Sequence, residues 1–175
     1  GGGSPSTTIT NAIIYAKTNG RAGKGSVVVF ASGNENGPVI YPATRPEVIA
    51  VGATSPCDER KSPTSCDGEY WWGSNYGSQL DVAAPGVKIY TTDIMGRGGY
   101  TSGNYISDFN GTSSATPHVA GLAGLVLSVD SYLTASQVES VIYTTADDLG
   151  ASGWDQYFGY GRINAYSALL SLSTT

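Results

Sequence analysis

Apolar residues follow two different patterns along the first half of the chain. Thr7–Asn19 has apolar residues at positions 9, 12, 13 and 16, and Gly20 follows directly, which predicts a helix that ends there. Three short stretches are instead almost continuously apolar: Ser26–Ala31, Val48–Ala53 and, more weakly, Leu80–Ala84. Such runs are typical of strands that are buried on both faces of a parallel sheet. Helices that alternate with strands favour an α/β layered fold.

The second half of the chain is predicted to be mainly helical after a polar stretch, Gly96–Asp108. Ser113–Ser128 is rich in Ala, Gly, Leu and Val, which predicts a largely buried helix. Thr134 and Gln137 form a capping-box pattern that begins another helix. Arg162–Leu172 predicts a final amphipathic helix. No internal repeat or interdomain linker interrupts this order.

Composition and charge exclude several classes of protein. Hydrophobic residues make up 40% of the chain and charged residues only 13%, which argues against disorder. The net charge is −5 and no run of Lys or Arg occurs, so we expect no nucleic acid as a partner. The longest apolar stretches are far shorter than the roughly 20 residues that span a bilayer. We therefore expect a soluble protein without a membrane partner.

The two cysteines, Cys57 and Cys66, flank a short polar segment that is typical of an exposed loop. In an oxidising compartment a disulfide would close this loop, whereas in the cytosol the pair would stay reduced. A metal site is not favoured, because the chain has no second pair of Cys or His ligands.

The segment Asn110–Gly121 carries the most informative pattern, Asn-Gly-Thr-Ser-Ser-Ala-Thr-Pro-His-Val-Ala-Gly. Gly111 allows a close backbone approach, and Ser113 then falls at the start of the predicted buried helix. Unpaired N–H groups and the helix dipole favour developing negative charge at that place, which suits a nucleophilic serine. An incidental serine at a helix start would not explain the whole ordered string.

A second candidate lies where the first predicted strand ends, in Ser32-Gly33-Asn34-Glu35. An asparagine beside a glycine is, on its own, more typical of a turn than of an active site. Together with the serine pattern, Asn34 has a second interpretation, as a residue of an active site.

The chain resembles the subtilisin family, whose nucleophile motif Gly-Thr-Ser-x-Ala-(Ser/Thr)-Pro-His-Val-Ala-Gly is matched at every defined position. Ile40–Ala43, Ser74–Gly86 and Gly159–Ala165 extend the resemblance in the family's order. The main departure is an insertion between Cys57 and Trp72, for which the sequence indicates no role. The resemblance implies a three-layer α/β fold in which helices flank a mostly parallel sheet.

The resemblance also implies a secreted serine endopeptidase with a polypeptide substrate and an acyl-enzyme on Ser113. Asn34 and the backbone N–H of Ser113 would then stabilise the oxyanion. The expected substrate-binding residues lie at the N-terminus and around Asn34: Gly1, Gly2, Ala31, Ser32, Gly33 and Glu35.

The remaining catalytic residues are expected upstream of Gly1, because the family order is Asp, His, Ser. His118, the only histidine, follows Ser113 by five residues and matches a structural histidine of the motif. Residues 1–175 would then be the C-terminal portion of a catalytic domain, with the N-terminal half of that domain as their partner. The portion alone is predicted to be inactive. The alternative is a non-catalytic module that binds extended peptides.

A calcium ion is a further implication of the resemblance, since related subtilases bind one through an aspartate and two backbone carbonyls. The matching positions are Asp81 and the carbonyls of Pro46 and Val48. Such oxygen ligands suit a hard cation. An equal alternative is a buried Asp81 whose carboxylate accepts hydrogen bonds from backbone amides. No organic cofactor is expected.

Overall fold

The structure, a computed structural model, describes residues 2–173, and the expected role of Gly1 therefore lies outside the described residues. The helices are α1 (Thr7–Asn19), α2 (Thr112–Val129), α3 (Ala135–Thr144) and α4 (Ala165–Ser173). The strands are β1 (Val29–Ala31), β2 (Ile49–Thr54), β3 (Val82–Pro85), β4 (Ile89–Thr92) and β5 (Tyr105–Phe109). None of the helices among these residues is long and apolar enough to cross a bilayer.

Strands β1, β2 and β3 form a parallel sheet with β2 in the centre. Every residue of β2 is buried, as its continuous apolar run predicts. Ile49 and Val51 pack in one cluster with Val119 of α2, while Ala50 packs with Leu80 in a second cluster. Alternate residues of a strand point to opposite faces, so β2 is covered on both. The predicted α/β fold, with a parallel sheet flanked by helices, is confirmed.

Strand β1 differs from its prediction in length and burial. We predicted a strand over Ser26–Ala31 that is buried on both faces, but it spans only Val29–Ala31 and its residues are half-buried. The reason is its position: among the described residues β1 pairs with β2 alone and lies at the edge of the sheet.

The helices mostly follow their predicted bounds. Helix α1 has the predicted range, and α3 begins with the predicted capping box of Thr134 and Gln137. Helix α4 begins at Ala165, three residues later than predicted. Arg162 is not helical because its backbone exchanges hydrogen bonds with that of Asp147, at 3.0 and 2.8 Å.

An antiparallel hairpin of β4 and β5 was not predicted. Most of the polar stretch Gly96–Asp108 forms the loop that connects β4 to β5. Tyr90 of β4 stacks on Tyr105 of β5. Its strands are largely exposed, so their composition lacks the apolar run that marks a buried strand.

Candidate active site

The end of β1 and the start of α2 are joined through the side chain of Asn34. Its Oδ1 atom accepts hydrogen bonds from the backbone N–H of Thr112 (2.9 Å) and from Thr112 Oγ1 (2.8 Å). Because a backbone N–H is always a donor, the amide atom that faces it must be the oxygen. The Nδ2 group of Asn34 therefore keeps its two N–H donors for another partner.

Ser113 is the second residue of α2 and is exposed. The first N–H groups of a helix have no intrahelical acceptors, so the backbone of Ser113 adds a donor at this place. Gly111 precedes the helix with a φ of 126°, a conformation that favours glycine, and its N–H donates to Gly86 O at 2.9 Å. The structure thus brings Ser113 and Asn34, which are far apart in sequence, to neighbouring positions.

The loop that carries Asn34 is shaped by Asn75, which is completely buried. Asn75 Oδ1 accepts from the backbone N–H groups of Glu35 (2.9 Å) and Gly37 (3.0 Å), and Nδ2 donates to Glu35 Oε2 (2.7 Å). A Cβ atom on Gly33 would lie 2.3 Å from Asn75 Nδ2. Asn75 stands in the Ser74–Gly77 stretch, but the sequence alone offered no reason to assign it to the site.

A cavity of about 310 Å³ lies beside Ser113 and Asn34. Four of the expected substrate-binding residues line it: Gly2, Ala31, Gly33 and Glu35. Ser32 does not. It is completely buried and its Oγ donates to Asn75 O (3.2 Å), because alternate residues at the end of β1 point to opposite faces.

A second cavity, of about 200 Å³, also reaches Asn34. It is lined by Trp71 and Trp72 of the insertion and by Asn110 and Gly111 before α2. The insertion therefore borders the candidate site, which the sequence did not predict.

The ring of His118 is directed towards its own helix: Nδ1 lies 2.9 Å from the carbonyl oxygen of Ser114, one turn earlier. His118, which matches a structural histidine of the motif, is exposed in this structure. It lines a cavity of about 290 Å³ between α2 and the β4–β5 hairpin, which leaves its ring uncovered.

The buried hydroxyl of Ser114, which lines the same cavity, has no hydrogen-bond partner among residues 2–173.

Asp81 lies beside the segment that carries the two carbonyls expected to bind calcium. Its Oδ2 atom accepts a hydrogen bond from the N–H of Ala50 (2.7 Å), two residues after Val48. Burial raises the pKa of Asp81 to about 6 despite that hydrogen bond. Pro46 is exposed and Val48 is buried. Within the described residues, no group of three or more His, Cys, Asp or Glu side chains could hold a metal ion.

The chain is similar to several proteases over nearly all of its length. It is 40% identical to a thermophilic serine proteinase of Bacillus sp. (strain AK1) over 93% of this chain and 34% of the relative. Thermitase of Thermoactinomyces vulgaris is also 40% identical, over 93% of this chain and 50% of the relative. Subtilisin DY of Bacillus licheniformis is 40% identical over 96% of this chain and 54% of the relative. The chain thus spans about half the length, or less, of these relatives.

A solved protease structure from Pseudoalteromonas arctica PAMC 21717 has a similar fold, with a TM-score of 0.78 and 31% sequence identity. The similarity covers 98% of this chain and 49% of that one. The model of the subtilase family matches residues 1–161. This chain belongs to the subtilase family.

Proposed function

We propose that the protein is a serine endopeptidase in which Ser113 Oγ attacks the carbonyl carbon of a peptide bond. The oxyanion that forms accepts hydrogen bonds from Asn34 Nδ2 and from the N–H of Ser113. A general base takes the serine proton and returns it to the leaving amine, and water then hydrolyses the acyl-enzyme. The observation that carries this proposal is the pair of hydrogen bonds from Thr112 to Asn34 Oδ1, which leaves the Nδ2 donors available beside Ser113.

The general base and its orienting aspartate are proposed to come from the N-terminal half of the same catalytic domain, of which residues 1–175 form the C-terminal portion. The only histidine of the chain bonds to its own helix, at Ser114 O. The hydroxyl of Ser114, the residue after the candidate nucleophile, has no partner among residues 2–173 and lines the 290 Å³ cavity, which suits a face that another segment covers. The relatives are also about twice as long or longer.

A polypeptide is the proposed substrate, and the 310 Å³ cavity is proposed to hold the side chain that precedes the cleaved bond. Gly2, Ala31, Gly33 and Glu35 would line it. We also propose a secreted protein, because the bond between Cys57 and Cys66 is typical of an oxidising compartment.

A structural calcium ion is proposed at Asp81 with the carbonyls of Pro46 and Val48. The donors are hard oxygen atoms, and one oxygen of Asp81 remains beside the hydrogen bond from Ala50. Chelation should lower the melting temperature of the wild type but not of Asp81→Ala, because only the folded wild type would bind the ion. An equal response in both proteins would contradict the site.

The enzymatic proposal is tested with a fluorophosphonate probe and mass spectrometry of the peptide that contains Ser113. Residues 1–175 alone should be labelled no faster than an ordinary serine, and the complete domain should be labelled rapidly and should cleave peptides. Ser113→Ala should abolish both activities. Rapid labelling of residues 1–175 that is lost in His118→Ala would assign the base to His118. A folded, complete domain without labelling would favour the peptide-binding module.

A further inference from the structure

The insertion between Cys57 and Trp72, here called the inserted segment, is organised around a buried charge. The ammonium group of Lys61 is completely buried and donates to Asp67 Oδ1 (2.9 Å) and to the backbone carbonyl of Glu69 (2.5 Å). A disulfide from Cys57 to Cys66 closes the segment covalently. A buried charge with several fixed acceptors holds its surroundings in one arrangement, so this segment is a defined structure and not a loose loop.

One carboxylate links this structure to the candidate active site. Glu69 is only 7% exposed, and each of its oxygens accepts one hydrogen bond. Oε2 accepts from the indole Nε1 of Trp72 (2.7 Å), and Oε1 accepts from Asn110 Nδ2 (2.9 Å). Both partners are donors, so this position requires a side chain with two acceptor atoms.

Asn110 is fixed at both ends of its amide. Its Oδ1 atom accepts from the backbone N–H of Lys88 (2.6 Å), which identifies the other amide atom as the nitrogen that faces Glu69. Asn110 directly precedes Gly111, after which α2 begins with Thr112 and Ser113. A displacement of Asn110 would therefore move the backbone that presents the candidate nucleophile.

We propose that Glu69 is a positioning residue: through Asn110 it holds the 110–113 segment in the geometry that Ser113 needs for attack. This inference rests on the proposed function, because it assigns a role in the reaction of Ser113. It also gives the inserted segment a role, since the hydrogen bond from Lys61 fixes the backbone from which Glu69 extends. Small errors in the placement of reacting groups lower the rate by large factors. Loss of the hydrogen bond between Glu69 and Asn110 should therefore lower turnover.

The direction of the two hydrogen bonds provides a sharp test. In Glu69→Gln, the amide nitrogen must face one of two donors, and in Asn110→Asp two carboxylates face each other. In the double variant Glu69→Gln/Asn110→Asp, the new amide accepts from Trp72 and donates to the new carboxylate, which still accepts from Lys88. Each single change breaks the connection and the double change restores it with reversed polarity.

The experiment measures kcat and KM on a peptide ester, the rate of Ser113 labelling and the melting temperature, all for the complete domain. Each single variant should lower kcat and the labelling rate by roughly 5-fold to 100-fold with little change in KM. The double variant should recover to within about 3-fold of the wild type. Glu59→Gln is the matched control, because Glu59 accepts from Cys66 N (2.8 Å) in the same segment and lies outside the connection to Asn110.

Unchanged kcat in the single variants, with or without a lower melting temperature, would overturn the proposal and leave Glu69 with at most a structural role. A double variant that regains its melting temperature but not its turnover would do the same. These outcomes differ from failure of the proposed function, in which the wild-type domain itself would neither be labelled nor hydrolyse the ester.

Discussion

Two neighbouring regions of this protein are held together by different kinds of interaction. The candidate oxyanion region, Asn34 with residues 110–113, rests on the apolar contact between β2 and α2, and neutral hydrogen bonds join Asn34 to Thr112. The inserted segment has no helix or strand of its own and instead surrounds the buried ammonium of Lys61. Trp72 is the side chain of the inserted segment that joins the apolar cluster.

The difference predicts how each region responds to mutation. Each fully buried aliphatic side chain in the sheet and helix layer contributes about 1.5–3 kcal/mol, so the stability of that layer is spread over many residues. A buried ion pair contributes little in net terms, yet removal of one partner leaves the other charge without compensation. We therefore expect stability to depend most steeply on the inserted segment, and rate to depend most steeply on the candidate oxyanion region.

The largest effect on stability is expected for Lys61→Met, which leaves the buried carboxylate of Asp67 unpaired. The free energy of unfolding should fall by about 3–5 kcal/mol, measured by urea denaturation. Lys24→Met is the control, because within the described part of the chain that ammonium approaches only the ring of Tyr132, and it should cost less than about 1 kcal/mol. Lys61→Met/Asp67→Leu should recover much of the loss. Equal stability of Lys61→Met and the wild type would contradict the expected role of the buried ion pair.

The next effect concerns rate. Asn34→Asp keeps the oxygen that accepts from Thr112 but replaces the Nδ2 donors, so kcat should fall by roughly 10²–10³-fold while the urea midpoint stays near that of the wild type. That magnitude is the known cost of removing the oxyanion-hole asparagine of subtilisin, a member of the same family. Asn34→Leu should lower both kcat and stability, because it also removes the acceptor for Thr112. Unchanged turnover in Asn34→Asp would exclude Asn34 from the mechanism.

A smaller effect is expected from the disulfide. Cys57→Ser/Cys66→Ser should lower the free energy of unfolding by about 2–3 kcal/mol, because the unfolded chain regains the freedom of a short loop. The wild type with a reducing agent should lose a similar amount, whereas the double variant should not respond to that agent. A wild type that is equally stable with and without reductant would show that the polar contacts around Lys61 maintain the inserted segment without the disulfide.

The smallest effect is expected from pH. Burial raises the pKa of Asp67, but hydrogen bonds from Ser65 and Lys61 and the Lys61 charge lower it more, so that its folded pKa lies below the ordinary 3.8. A lowered pKa stabilises the fold above about pH 4, and this contribution is lost as the pH falls through the folded value. The difference in melting temperature between wild type and Asp67→Asn should thus shrink from about pH 7 to about pH 3. A difference that does not change with pH would contradict this ionic role.

Local patterns in the sequence determined much of the fold. The bounds of α1, the capping box of α3 and the burial of β2 follow from residues that are close in sequence, because helical and strand periodicities are local properties. The order of residues in Asn110–Gly121 likewise indicated the family before any fold was known. Ser113 and Asn34 were identified as candidates by the same resemblance.

Only the tertiary structure decided which polar groups meet. The burial of Lys61, the bond from Asn110 to Glu69 and the roles of Asn75 depend on contacts between residues 4 to 41 positions apart, and no periodicity encodes them. The edge position of β1 and the late start of α4 at Ala165 were mispredicted for the same reason. Whether a side chain is buried, and which group it pairs with, depends on neighbours that are brought together only by packing. The sequence by itself determines which helices and strands are available to be packed.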